Sequence, residues 1–85
     1  MAVEIHQTPN PNALKFAVGV DVGGPHTFVA GGDDLPAPAD ALLELPGVAS
    51  VFMTADFVTL SKMPDGSWDD IAEAARGILA AHFGA

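Results

Sequence analysis

The chain has no cysteine, and only three of its side chains are basic: Lys15, Lys62 and Arg76. Without a thiol there is no disulfide, no thiolate nucleophile and no thiolate metal ligand. Three bases against eleven acids leave a formal charge of −8. Such a surface repels nucleic-acid backbones and anionic lipid, and attracts basic partners over a longer range at low salt. Long apolar runs are also missing, because Asp, Gly or Pro interrupts them every few residues, well short of the ~20 residues that a membrane-crossing helix needs. Met1 to Gln7 shows no basic region leading into an apolar one, so no secretory signal is expected and a cytoplasmic setting is.

What is present suits one folded unit over residues 1–85. Almost half of the residues are hydrophobic (49%), enough for a chain of this length to bury roughly 60–65% of its unfolded surface around one core. Val3, Ile5 and Gln7 alternate with Glu4, His6 and Thr8, which predicts a half-buried strand. Thr8-Pro9-Asn10-Pro11-Asn12 then forms a rigid turn: its prolines fix φ and extend the residues before them, and asparagine tolerates left-handed backbone. Leu14, Phe16 and Val18 alternate with Ala13, Lys15 and Ala17, giving a second strand that pairs antiparallel with the first. From Gly19 to Pro38 the period fades among glycine pairs, Asp33-Asp34 and prolines. A mobile loop with at most one short edge strand is expected there.

Ala39 to Leu45 reads as a short helix between Pro38 and Pro46-Gly47. Val48–Met53 and Phe57–Lys62 read as a hairpin closed through Thr54-Ala55-Asp56. The last element carries Trp68, Ile71, Ala72, Ala75, Ile78, Leu79 and His82 at spacings of three and four, one apolar stripe of a long helix. Ser67 and Asp70 are placed to cap it, and Asp69, Asp70 and Glu73 lie near the positive end of its dipole. The predicted class is α+β: an antiparallel sheet of three to four strands with two helices packed on one face, in the order β-β-(loop)-α-β-β-α.

Candidate chemistry is sparse. His6, His26 and His82 lie in three separate elements with no second ligand at helical spacing, so they serve a metal only if the fold gathers them. The glycine pairs match neither phosphate-loop pattern and read as loop glycines. Ser50, Ser61 and Ser67 lie in predicted strands and at a helix cap, outside any nucleophile elbow. Asp33-Asp34 and Asp69-Asp70 read as solvated surface or helix-start residues. Phe28, Phe52, Phe57 and Trp68 fall in apolar patterns and are expected in the core. No catalytic residue, metal ligand or cofactor site is assigned, and no enzyme activity is expected. The turn has two readings. It is either a strand connection whose asparagines satisfy local backbone, or a preorganised recognition corner formed by Thr8, Pro9, Asn10, Asn12 and Lys15 that binds a partner at little entropic cost.

The string TPNPNALKF, Thr8 to Phe16, resembles the opening motif of the N-terminal domain of Nfu/NifU-type iron-sulfur scaffold proteins, where T-P-N-P-N-x-L-K-F recurs. Leu45-Pro46-Gly47-Val48 resembles that domain's I-P-G-V turn. Val51-Phe52 with Asp56-Phe57-Val58-Thr59-Leu60-Ser61-Lys62 resembles its V-F…D-F-I-T-V-T-K hairpin, and Trp68 with Ile78 to Phe83 resembles its closing helix. The resemblance covers nearly the whole chain. It implies antiparallel strands with two helices and a role in iron-sulfur cluster assembly or delivery, with cluster scaffolds, carriers or client apoproteins as partners. In the full-length scaffold a second domain carries the C-x-x-C thiolates that bind a cluster between subunits, and that chemistry does not transfer to a chain without cysteine. An iron-binding protein using carboxylate and His ligands is the alternative, since oxygen and imidazole donors also suit iron. Thr54-Ala55 stands where the resemblance would put Gly-Ser, so the hairpin turn is expected to depart from the family's geometry.

Overall fold

A computed structural model describes residues 3–32 and 35–84. The Asp33-Asp34 pair lies outside the described residues. Seven elements follow one another: β1 (Glu4–Gln7), β2 (Ala13–Ala17), β3 (Gly23–Val29), α1 (Ala39–Leu43), β4 (Val48–Ala55), β5 (Phe57–Lys62) and α2 (Trp68–Phe83). The strands form one antiparallel sheet in the order β1-β2-β5-β4-β3. The α+β class and the two helices are as the sequence predicts, but the sheet has five strands.

The additional strand is β3, a seven-residue edge in the segment expected to be mostly loop. Its sequence hides it, because pairing with β4 supports it while only Phe28 reaches the core, so no two-residue period arises. The Gly23-Gly24 pair therefore opens a strand rather than a loop. Gly24 sits at φ +93° in the irregular register between Gly23 and His26, where a Cβ would clash with the Met53 carbonyl oxygen.

The period of two sorts the side chains onto opposite faces. Ile5, Phe16, Val58, Met53 and His26 form a row across all five strands on the inner face, which both helices cover. Phe16, Val51, Val58 and Leu60 are fully buried there against Leu42, Ile71, Ala75 and Leu79. The next row, His6, Lys15, Thr59, Phe52 and Thr27, lies on the outer face, which neither helix covers. Phe52 is exposed and Phe57 half-buried on that face, outside the core cluster that the sequence assigned to them. β1 differs too: all four of its residues are exposed, and only Val3 before it is buried. It is an edge strand that α2 does not reach across.

The β4–β5 hairpin closes tightly, with Thr54 opposite Phe57, by placing Ala55 at φ 51°. Its exposed carbonyls are used by the chain leaving β2: Val18 N–H donates to Asp56 O (2.9 Å) and Val22 N–H to Ala55 O (2.8 Å). α2 begins after Ser67, which occupies the N-cap position without a side-chain hydrogen bond, so the expected cap is positional only. The helix ends at Gly84, whose left-handed backbone lets its N–H donate to Ala80 O. Ile71, Ala75 and Leu79 form its buried line, with Trp68, Ala72 and Ile78 half-buried beside it and His82 exposed.

Candidate functional site

The β1–β2 turn is held by its own side chains. The Thr8 hydroxyl lies between the carbonyls of Asn10 (2.9 Å) and Ala13 (3.0 Å), and it accepts from Asn10 N–H (3.2 Å). Asn12 N–H donates to Asn10 Oδ1 (2.9 Å), and Ala13 N–H to Asn10 O (3.0 Å). Two distant residues then anchor the turn. Lys62 donates twice to Asn12, from its main chain to O (2.8 Å) and from Nζ to Oδ1 (3.0 Å), and Trp68 Nε1 donates to Pro11 O (2.9 Å). An indole with one apolar face and one polar edge suits this place, where the turn meets the start of α2.

Between the anchored turn, β1 and α2 lies an open groove of about 460 Å³. Ile5 and Leu14 floor it, Trp68 and Ala72 form the helix wall, and Gln7, Thr8, Asn10 and Asp69 supply polar groups at its edges. No basic side chain lines it. Lys62 is engaged with Asn12, Arg76 pairs with Glu73 (3.0 Å), and Lys15 stands over the Phe57 ring 4.4 Å from its centroid. The groove holds one carboxylate, neutral polar groups and an apolar floor. It is equipped to hold an apolar or cationic side chain.

The five residues assigned to a recognition corner do not share one surface. Thr8 and Asn10 face the groove, Asn12 ties the turn to Lys62, Pro9 is exposed, and Lys15 projects from the outer sheet face. The hydrogen bonds of Thr8, Asn10 and Asn12 belong to the fold whatever else those residues do. Ile5, Asp69 and Ala72 escaped the sequence reading as groove residues, and Trp68 was assigned to the core. The available signal was a tryptophan at the first position of a helix, where its N–H requires a partner outside that helix. The three histidines stay apart: His6 meets Glu4 (3.3 Å), His26 stacks near Phe28, and His82 meets the edge of Phe83. Among the described residues no group of three or more His, Asp or Glu is gathered to hold a metal ion.

The architecture defines a sheet-and-two-helix domain with a laterally open groove beside β1, and comparison with known proteins gives its family. Residues 3–85 match the family described as scaffold protein Nfu/NifU N terminal, and the chain belongs to that family. It is 40% identical over 72 residues to an NFU1 iron-sulfur cluster scaffold homolog, mitochondrial, of Drosophila virilis, and 42% identical to the homolog of Drosophila erecta. Each alignment covers 80% of this chain but only 24% and 25% of the relative, so the chain spans about a quarter of their length. The crystal structure of protein SAV1430 from Staphylococcus aureus superposes with a TM-score of 0.80 at 27% identity, covering 92% of this chain and 98% of that one. Among the described residues no helix is long and apolar enough to cross a membrane.

Proposed function

We propose that residues 1–85 act as one protein-binding unit in iron-sulfur cluster assembly or delivery, holding a scaffold, carrier or client apoprotein without ligating a cluster through cysteine. The carrying observation is a chain of a scaffold family with no thiol in its 85 residues, which presents a hydrogen-bonded turn beside an open groove. Clusters with all-cysteine ligation need thiolates. What this unit contributes is contact with the proteins that carry them. A preformed groove supports that role, because a surface fixed before binding loses little entropy when a partner arrives.

Thr8, Pro9, Asn10 and Asn12 shape the contact, and Lys15 marks a second contact on the outer sheet face. Nucleic acid and membranes are not partners in this reading, given the charge of −8. The setting is cytoplasmic, although the Drosophila relatives are named mitochondrial; cell fractionation decides between the two. The function itself is tested by surface-immobilised binding of a purified iron-sulfur scaffold protein and a purified carrier protein to this chain. Saturable binding of either supports the proposal, and absence of binding by both at high micromolar concentration sinks it.

A further inference from the structure

Both edges of the sheet are open to solvent, and they are not equivalent. The β3 edge is blunted: Pro25 has no N–H to offer, the register shifts between Gly23 and His26, and Val29 O is taken by Gly32 N–H. The β1 edge has no such device. Glu4, Ile5, His6 and Gln7 pair with β2 in regular register, and alternate residues of an antiparallel edge strand turn their N–H and C=O groups outward. Among the described residues, no hydrogen bond other than the pairing with β2 reaches the main chain of β1. Beside this edge Ile5 is 41% exposed and floors the groove whose wall is Trp68 and Ala72.

We infer that β1 is a docking edge that accepts an extended segment of a partner protein as a sixth strand, and that this segment alternates aliphatic with basic residues. Resting on the proposed protein-binding role, the inference names the surface and the chemistry of the segment. A strand laid about 4.8 Å outside β1 has its alternate side chains on the inner face, where they widen the apolar floor of Ile5 and Leu14 on the side of the groove away from the Trp68 wall. The intervening side chains lie on the outer face beside Glu4, and Asp69 stands at the groove's lip without a basic residue among its lining neighbours. Charge therefore selects a cationic segment. It also selects against a second copy of this chain, since pairing two β1 edges brings two bodies of charge −8 together.

The test is titration of the isotopically labelled chain with a blocked hexapeptide of alternating lysine and valine, followed by amide chemical shifts. Shifts centred on Glu4–Gln7 and on the Trp68 indole N–H are expected, with no matching response to an alternating glutamate-valine peptide. Glu4→Lys and Asp69→Lys, both at exposed positions, are each expected to weaken binding about fivefold to tenfold, with the loss shrinking at high salt; Glu4→Lys leaves the melting curve in place, while Asp69→Lys lowers it slightly because a cation replaces an anion in the first turn of α2. N-methylation of the peptide on the amides of its pairing edge should abolish binding. Shifts confined to the outer sheet face, undiminished binding of the N-methylated peptide, or equal binding of the acidic peptide would overturn the inference. So would a concentration-dependent dimer that moves the β1 amides without peptide. A cluster scaffold or carrier that binds this chain equally with and without Glu4→Lys and Asp69→Lys overturns the docking edge and leaves the proposed function standing. Edge binding of the lysine-valine peptide with no binding of either protein does the reverse.

Discussion

Ala55 is the non-glycine residue with positive φ in the hairpin, at 51°. An L-residue there loses about 1–2 kcal/mol to the contact between its Cβ and carbonyl oxygen. Glycine would relieve it, while returning about 0.4–1 kcal/mol of unfolded-chain entropy. Ala55→Gly is therefore expected to stabilise the domain by about 0.5–1 kcal/mol, read as a higher denaturation midpoint at unchanged slope. Gly24→Ala should do the opposite, because its Cβ would meet the Met53 carbonyl at φ +93°. A loss of at least about 1 kcal/mol is expected, with exchange of the β3 amides accelerating first. The two positions were unequally legible. The hairpin turn was legible in position, with Thr54-Ala55 standing where the resemblance puts Gly-Ser, but the left-handed backbone of Ala55 was not. Gly24 looked like loop punctuation, since its constraint comes from a neighbouring strand that the local sequence does not contain.

At the scale of elements, α2 was the most legible part of the chain, because a long amphipathic stripe has few alternative readings. Its depth of burial was less so. Ile78 lies on the expected face yet stays half-buried, whereas Leu79 is fully enclosed. Leu79→Ala is accordingly expected to cost about 2–5 kcal/mol and Ile78→Ala clearly less, by chemical denaturation. Comparable losses would mean that the helix is rotated from the position described. Trp68→Phe keeps the wall of the groove but deletes the donor to Pro11 O. A loss of about 0.5–1.5 kcal/mol should follow, with broadened amide signals from Thr8 to Asn12. β3 was legible as no more than one short edge strand, its seven-residue extent being hidden because its support is a row of hydrogen bonds to β4, and those leave no pattern of hydrophobic residues. The turn was legible as rigid. Its division between groove and outer face was not, since that depends on where Trp68 and Lys62 come from elsewhere in the chain.

For the whole molecule, the absence of thiols gives a direct prediction. Anaerobic reconstitution with iron and sulfide, followed by gel filtration, should leave no stoichiometric cluster on the purified chain, and a stable cluster held by other ligands would displace the proposed binding role. The two faces of the sheet can be told apart as well. Lys15→Glu alters the outer face at the cost of one cation–π contact, about 0.5–1 kcal/mol, and should leave binding in the groove unchanged. If scaffold or carrier binding falls with Lys15→Glu alone, the outer face is the contact. The sheet order has a further consequence, for synthesis. β2 lies between β1 and β5, so its second neighbour begins at Phe57, long after β2 ends at Ala17. A two-stranded ribbon is marginal alone, and pairing of distant segments must wait for its loop-closure entropy to be overcome. A nascent chain released after Gly47 should therefore be cut readily by protease at Leu14 and Phe16, while the finished chain resists. A ribosome making this protein holds those apolar side chains open, within reach of chaperones, until β5 and α2 have left the exit tunnel.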